Sequence, residues 1–284
     1  MKRWAFYPAL GLAVMATGCP AALPPTLREA TVRAHELPSD VQGLVKYIDA
    51  EATNESAAAE ENIIIAADRG LERDPRAYEL LWRGSRACAW LTEEFTDKQR
   101  RASYAQKGLD LAKRAVEVDP KRVEGQYYLG INTGQSATTK TVGAYMMVPR
   151  VVKAGEAARK IDEHFDHAGP SRLVGTVYAK APPWPASLGD LDEGLQHLSH
   201  AVAIAPDYPQ NHLHYADALV SDGKLADAER EYRLVLDAKV LPEWAHRYER
   251  WKRDAEEGMK KIAEKKKESL RAPTGINRAQ KAAR

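Results

Sequence analysis

The chain of 284 residues is poor in the residues on which several large protein classes depend. Its two cysteines are too few for a disulfide-rich scaffold. Three phenylalanines and 18 glycines argue against an all-β sandwich and against a glycine-rich nucleotide-binding fold. A mean hydropathy of −0.52 excludes a polytopic membrane protein. A hydrophobic fraction of 44% with a net charge of +2 argues against a wholly disordered chain.

Motifs of catalysis and of metal or phosphate binding are also scarce. The sequence has no HExxH and no GxSxG motif, no glycine-rich phosphate loop before a helix, and no cysteine–histidine cluster with zinc spacing. Two histidine pairs, His164/His167 and His197/His200, are better explained as exposed or capping side chains than as metal ligands. We therefore expect no enzyme activity, no metal and no cofactor.

The first nineteen residues have the order of a bacterial lipoprotein signal. Lys2 and Arg3 precede an apolar stretch at residues 4–15, and small residues at 16–18 lead into Cys19. The apolar stretch is short for a membrane span. We expect residues 1–18 to be a signal peptide and the Cys19 thiol to be lipidated. Ordinary secretion with Cys19 incidental, and an uncut N-terminal anchor, are the alternatives.

Residues 19–38 contain four prolines and few apolar side chains, which is typical of an extended tether. The chain is thus predicted to be held by a lipid anchor in the bacterial cell envelope and to face the periplasm. The outer membrane is favoured because Pro20, and not aspartate, follows the cysteine. An exported chain is not expected to bind nucleic acid. With Cys19 lipidated, Cys88 has no partner in its own chain, and its surroundings indicate a small buried thiol.

Prolines at regular intervals indicate a helical repeat. Pro75, Pro120, Pro170 and Pro206 each end one amphipathic stretch and open another, as does Pro242. The intervals are 45, 50, 36 and 36 residues, which is the range of repeated helix pairs. The pattern therefore predicts a stack of helical hairpins with a junction at each proline.

The clearest unit is NHLHYADALVSDGKLADAEREYRLVLD, whose large and small residues have tetratricopeptide-repeat spacing, with Gly223 at the turn. Residues 39–241 are predicted to form an all-α, right-handed tetratricopeptide-repeat (TPR) solenoid. Two insertions between helices, KTVGAYMMVPRV and APPWPAS, interrupt it, and a helix near residues 57–73 should cap its start. Residues 242–270 are predicted to be a C-terminal capping helix, and residues 271–284 a disordered basic tail.

The sequence also resembles a known family. The segments YELLWRGSRACAWL, MMVPRVVKAGEAARKIDEHF and, above all, YAKAPPWP followed by GD resemble the T-component lipoproteins of tripartite ATP-independent periplasmic (TRAP) transporters. The eukaryotic regulators of microtubule dynamics share much the same pattern, and the signal with Cys19 selects the bacterial side. The resemblance implies a periplasm-facing adaptor that contacts the transporter's solute-binding component, and it leaves room for an apolar ligand.

Binding is the expected activity, because a solenoid exposes an extended concave surface. Residues on the first helix of each pair that are not needed for helix pairing are candidate anchors for a partner, and tryptophan, tyrosine and arginine are enriched at such anchors. These candidates are Trp82, Arg86, Trp90, Tyr127, Ile131, Arg172 and Asp217, although the tryptophans could instead pack between helices. The insertions add Tyr145, Met147 and Trp184, which could line a cleft or fill the solenoid's edge. An envelope-assembly scaffold and a carrier of a small apolar ligand are the alternative functions.

The C-terminal stretch is basic. From Pro242 onward it contains 13 lysines and arginines against 7 acidic residues. The lysines at 260, 261 and 265–267 could contact anionic lipid, cell-wall polymer or an acidic partner. The alternative is a solvated helix end, at which the helix dipole favours lysine.

Overall fold

The computed structural model describes residues 25–54, 56–140 and 143–271, and the regular elements of this part of the chain are all helical. The α-helices are α1 (Val41–Glu51), α2 (Ala57–Leu71), α3 (Tyr78–Glu94), α4 (Lys98–Val118), α5 (Val123–Thr139), α6 (Val148–Ile161), α7 (Phe165–Lys180), α8 (Leu191–Ile204), α9 (Pro209–Ser221), α10 (Leu225–Leu236) and α11 (Ala245–Arg271). Short 3-10 helices lie at Ala34–Glu36, Ala144–Met147 and Pro242–Trp244. The predicted all-α fold is confirmed. The signal peptide, Cys19 and residues 272–284 lie outside the described residues.

Capping side chains and a turn glycine set several of the helix ends. Asp40, Ser56, Asp97 and Asp190 cap α1, α2, α4 and α8, and each side chain accepts a hydrogen bond from the backbone amide three residues on. Gly223, in the turn between α9 and α10, has a φ of 77°, a left-handed conformation that glycine adopts at little cost. The turn expected at this glycine is therefore present.

The repeated prolines lie at junctions between helix pairs. Pro75, Pro120 and Pro206 stand in the turns that lead into α3, α5 and α9, and Pro242 begins the 3-10 helix before α11. Pro170 lies at the start of the regular part of α7. Each proline thus marks the passage from an even-numbered helix to an odd-numbered one, where its missing amide costs no helical hydrogen bond.

Antiparallel helix pairs stack into a curved solenoid. Each α-helix packs on its neighbour in sequence, and each odd-numbered helix also contacts the next odd-numbered helix. Between even-numbered helices, the described part of the chain has no such contact. The odd-numbered helices are therefore closer together and form the inner side of the curve, which we call the inner surface.

The odd-numbered helices are also parallel to one another. Trp82 of α3 stacks on Tyr128 of α5, and Gln135 of α5 donates a hydrogen bond to the Ala89 carbonyl. Both pairs are separated by 46 residues, and a constant separation is the signature of parallel helices in register. The C-terminal ends of the odd-numbered helices thus share one side, which we call the hairpin edge. It carries the turns at residues 95–97, 140–147, 181–190 and 222–224.

The C-terminal end of the stack is closed by aromatic packing. Trp244, Tyr248, Trp251 and Ile262 are buried against α9 and α10. The hydroxyl of Tyr248 donates to backbone carbonyls at the end of α10. The structure therefore confirms a C-terminal helix whose aromatic first half covers the last repeat.

The N-terminal end is closed by α1 and by a docked segment that the sequence pattern predicted to be a tether. The backbone amides of residues 29 and 30 donate to a carboxylate oxygen of Glu61, and those of residues 31 and 32 donate to the side-chain oxygen of Asn62. Leu37 is buried in the core. From residue 29 onward the predicted tether is thus held on α2, because two buried polar side chains there bind its backbone.

No helix in the described ranges has both the length and the apolar run needed to cross a bilayer.

Candidate functional site

The inner surface begins on α3 with three half-buried side chains spaced one helical turn apart. Trp82 lies parallel to the Tyr128 ring, with centroids 6.3 Å apart, and its indole nitrogen donates to Glu79 at 2.9 Å. The Arg86 guanidinium lies 5.6 Å from the Trp82 ring. Trp90 follows one turn later. The structure therefore brings together the three predicted residues of α3. Contacts with its neighbours fix the Trp82 side chain before any partner binds.

Polar atoms without a hydrogen-bond partner recur on four successive inner helices. They are buried, and no acceptor or donor among the described residues reaches them. The atoms are Nη2 of Arg86 on α3, Oε1 of Gln135 on α5, Oγ1 of Thr176 on α7 and Nδ1 of His214 on α9. A buried polar atom without a partner costs about 1–3 kcal/mol, so native proteins leave few of them unexplained. Such atoms also occur on Asn132 of α5, Ser171 of α7, Arg100 of α4 and Trp251 of α11. Each of the helices α3, α5, α7 and α9 therefore carries at least one, which makes the inner surface a candidate binding surface.

Contacts between α7 and α9 place two of these residues opposite each other. Arg172 donates to Asn211 at 2.8 Å, and Lys180 donates to Asp217 at 3.5 Å. These pairs are 39 and 37 residues apart. Thr176 lies between Arg172 and Lys180 on α7, and His214 lies between Asn211 and Asp217 on α9. Thr176 and His214 are 38 residues apart, so they lie at the same height on the two helices.

Burial, with help from nearby cations, keeps the ring of His214 neutral. Burial lowers the pKa of His214 well below the usual histidine value, and the nearby cations Lys180, Arg172 and Arg250 lower it further. At neutral pH the imidazole has one donor nitrogen and one acceptor nitrogen. It therefore presents a neutral hydrogen-bonding group and not a positive charge.

Side chains from the first turns of α11 reach the C-terminal end of α3. The imidazole of His246 stacks on Trp90 with ring centroids 5.7 Å apart. Arg250 forms an ion pair of 2.5 Å with Glu93. Between the two helices lies a cavity of about 480 Å³, lined by Trp90, Glu93, Glu94, Ala245, His246, Arg247, Glu249, Arg250 and Arg253. Its lining combines three carboxylates and three guanidinium groups with the rings of Trp90 and His246.

Two of the predicted binding residues have structural roles instead. Arg172 and Tyr127 are each only 4% exposed. Arg172 donates to the carboxylate and carbonyl of Asp166 and to the carbonyl of His167, and Tyr127 donates to the same carboxylate at 2.6 Å. Residues 166–168 have positive φ values of 48°, 53° and 64°. The two side chains stabilise this left-handed turn at the start of α7, so they are not available to a partner.

The other predicted binding residues differ in how far their side chains are exposed to solvent. Ile131 is half-buried on α5. Asp217 is partly exposed, and it accepts a hydrogen bond from the Tyr232 hydroxyl at 2.7 Å. Met147 is buried, which contradicts its proposed contact with a partner, because its 3-10 helix turns it towards α5 and α6. Tyr145 and Trp184 are 55% and 81% exposed, but they lie on the hairpin edge and not on the inner surface.

Sequence reasoning missed several residues of this surface. Tyr128 faces Trp82, whereas the sequence pattern favoured its neighbour Tyr127, an error of one position in the register of α5. Gln135 and His214 carried no signal, since their importance comes from polar atoms that lack partners. His246 and Arg250 meet α3 through the curvature of the whole solenoid, which local spacing does not encode.

The histidine pairs and the buried thiol have ordinary surroundings. His200 lies 3.1 Å from a Glu163 oxygen, and His197 stacks on Tyr178. Within the described ranges, no group of three or more histidine, cysteine or acidic side chains is placed to hold a metal ion. Cys88 is fully buried, and burial raises the pKa of its thiol.

Two protein-family models match parts of the chain. A family model described as Tetratricopeptide repeat matches residues 186–246, from the turn before α8 to the start of α11. A model described as Regulator of microtubule dynamics protein 1-3 matches residues 44–148. No curated protein matches the chain significantly. Neither matching model describes a family of enzymes.

A solved structure has the same architecture. The crystal structure of TTC0263, a thermophilic TPR protein of Thermus thermophilus, matches with a TM-score of 0.55 and 18% sequence identity. The match covers 73% of this chain and 98% of that one. At this identity the likeness concerns the fold. Together with the helix order and the repeat match, it shows that this chain has the tetratricopeptide-repeat fold.

Proposed function

We propose that the chain is a lipid-anchored adaptor of the bacterial cell envelope, which faces the periplasm and binds a segment of another protein on its inner surface. The observation that carries the proposal is the series of unpaired polar atoms on Arg86, Gln135, Thr176 and His214. A polypeptide backbone offers alternating donors and acceptors, which is the chemistry these atoms lack. The lipid anchor rests on the sequence around Cys19.

The shape and lining of the cavity favour a polypeptide over an apolar ligand. Glu93 and Glu94 of α3 line the cavity on one side, and Arg247, Glu249, Arg250 and Arg253 of α11 line it on the other. An apolar molecule would remove these charges from water and offer no compensating hydrogen bond. A peptide with polar side chains avoids that cost, and Trp90 gives it an aromatic anchor.

The partner we propose is the solute-binding component of a TRAP-type transporter. The support is the resemblance of YAKAPPWP and its flanking segments to the T-component lipoproteins. In this role the chain is not an enzyme, needs no cofactor and does not bind nucleic acid. An envelope-assembly scaffold would use the same inner surface with a different partner, so identification of the partner separates the two.

Site-specific crosslinking in the native cell tests this proposal. A photo-crosslinking phenylalanine analogue replaces Ile131 on the inner surface, and in a matched control it replaces Leu234, which is 50% exposed on α10. We expect position 131, and not position 234, to form an adduct with an exported solute-binding protein. An adduct with an envelope-assembly protein would support the scaffold instead. The absence of any adduct specific to position 131 would overturn the adaptor proposal.

A further inference from the structure

The hairpin edge carries the most exposed large apolar side chains of the described chain. Trp184 is 81% exposed, Met146 is 70% exposed and Tyr145 is 55% exposed. They belong to the insertions of two adjacent hairpins, residues 140–147 and 181–190. Because α5 and α7 are neighbouring inner helices, both insertions project from the same side. Tryptophan and tyrosine are the residues that prefer the boundary between lipid and water.

Basic residues accompany these apolar side chains. Three basic residues lie at the first insertion or in the first two turns of α6, whereas Arg159 and Lys160 lie in its last turn, away from the hairpin edge. Lys140, Arg150 and Lys153, which flank the first insertion, are exposed. Beside the second insertion, Asp190 caps α8, and Asp192 and Glu193 add two carboxylates in its first turn. The basic side chains that complement an anionic surface are therefore those at the first insertion.

The lysine-rich end of α11 reaches the same edge. Lys265 donates to the carbonyl of Val220 at the end of α9, and Lys266 donates to Glu229 of α10 at 2.6 Å. At a rise of about 1.5 Å per residue, the last turns of α11 extend roughly 9 Å past this level. Lys267 is exposed in these last turns, and Lys260 and Lys261 are exposed one to two turns before them.

The N-terminal segment also leaves the solenoid on this edge. The amide of Glu29 donates to Glu61 in the second turn of α2, a helix that begins at the hairpin edge. Arg100, in the first turn of α4, pairs with both carboxylates. Glu29 lies ten positions after Cys19, and a stretch of that length spans at most about 35 Å. A lipid on Cys19 would therefore keep this edge close to the bilayer.

We propose that the hairpin edge docks on the surface of an anionic bilayer. Trp184, Tyr145 and Met146 would enter the headgroup layer, and the lysine-rich end of α11 would lie over the lipid phosphates. This inference rests on the proposed lipid anchor and extends it, because the anchor and the edge act on the same membrane. Docking of this edge leaves the inner surface free for a partner.

Vesicle flotation of the mature chain with Cys19→Ser tests the edge without its anchor. We expect binding to vesicles of phosphatidylcholine mixed with phosphatidylglycerol, and none to phosphatidylcholine alone. Trp184→Ala with Tyr145→Ala should weaken binding about tenfold, because two interfacial aromatic groups are lost. Each of Lys260→Glu, Lys261→Glu and Lys267→Glu should weaken it about fivefold or more. Leu234→Ser and Lys113→Glu, exposed changes away from the edge, are the matched controls.

Three results would overturn the inference. They are no binding to anionic vesicles, equal binding by the edge variants and the controls, and a specific protein adduct from a photo-crosslinker at position 184. Failure of the membrane-docking inference can be distinguished from failure of the adaptor proposal. The lipidated chain with Trp184→Ala would remain at the membrane through Cys19, and its crosslinking from position 131 would be unchanged.

Discussion

The two ends of the solenoid are closed by different chemistry. At the C-terminal end, Trp244, Tyr248 and Trp251 bury their rings against the last hairpin. At the N-terminal end, the buried side chains of Glu61 and Asn62 bind the backbone of residues 29–32. Aromatic burial is non-directional and scales with area, whereas hydrogen bonds to buried polar groups demand a fixed geometry. The contrast indicates that the aromatic end serves stability and the polar end fixes where the N-terminal segment runs.

The largest loss of stability should come from a substitution at the aromatic, C-terminal end. Trp251→Ala should lower the free energy of unfolding by about 4 kcal/mol, because it removes a ring that is 1% exposed and leaves a cavity. Urea unfolding measures the change, and hydrogen exchange should show it first in α9 and α10. Leu234→Ala, on the exposed side of α10, should change stability by less than about 0.5 kcal/mol. Equal effects from both substitutions would contradict the aromatic cap.

A substitution at the polar, N-terminal end should cause the second-largest loss of stability. Glu61→Ala should cost about 3 kcal/mol, since it leaves Arg100, the Tyr104 hydroxyl and two backbone amides without their buried acceptor. Limited proteolysis should then cut within residues 25–33 faster than in the parent chain. Asp110→Ala, an exposed acidic residue of α4, is the control. Unchanged proteolysis in the Glu61 variant would show that other contacts hold the segment.

A smaller, pH-dependent effect should mark the hairpin beneath the aromatic cap. Burial lowers the pKa of His212, but hydrogen bonds to Glu231 and to the Pro206 carbonyl outweigh it and raise the pKa above the usual value. The resulting stability is fully present below the unfolded-state pKa and is lost as pH rises through the folded-state pKa. His212→Gln should therefore cost about 1.5 kcal/mol more at about pH 5.5 than at about pH 8.5. A pH-independent cost, measured by urea unfolding at both values, would refute this assignment.

The smallest effect should come from the contact between α3 and α11. Arg250→Gln should change stability by less than about 1 kcal/mol, because the ion pair with Glu93 is largely exposed to solvent. Thermal unfolding checks this, and Arg253→Gln on the same helix is a matched control. A loss of several kcal/mol would mean that this contact closes the solenoid as strongly as the aromatic end does.

Much of the fold was predictable because its determinants are local. Prolines at 75, 120, 206 and 242 marked the junctions, and the aromatic spacing from Trp244 to Ile262 predicted the capping helix. The docking of residues 29–32 was not predictable, since the side chains that bind them lie about thirty positions away in sequence. A segment rich in proline and poor in apolar residues is typical of a tether until its polar partners are known.

The binding surface was less predictable than the fold. Trp82, Arg86 and Trp90 follow helical spacing, and the structure places them on one face of α3. Arg172 and Tyr127 have the composition of interface anchors, but the left-handed turn at residues 166–168 uses both of them internally. Backbone conformations of this kind depend on tertiary contacts, so the sequence pattern does not reveal them.

The proposed function requires a polypeptide partner that binds the inner surface. Titration of the partner recovered through position 131 against the Arg86→Ala, His214→Ala double variant tests it most directly. Two lost hydrogen bonds of about 1 kcal/mol each predict a Kd raised about 30-fold, with the Leu234→Ala variant unchanged. Equal affinity of the double variant and the parent chain would contradict the claim.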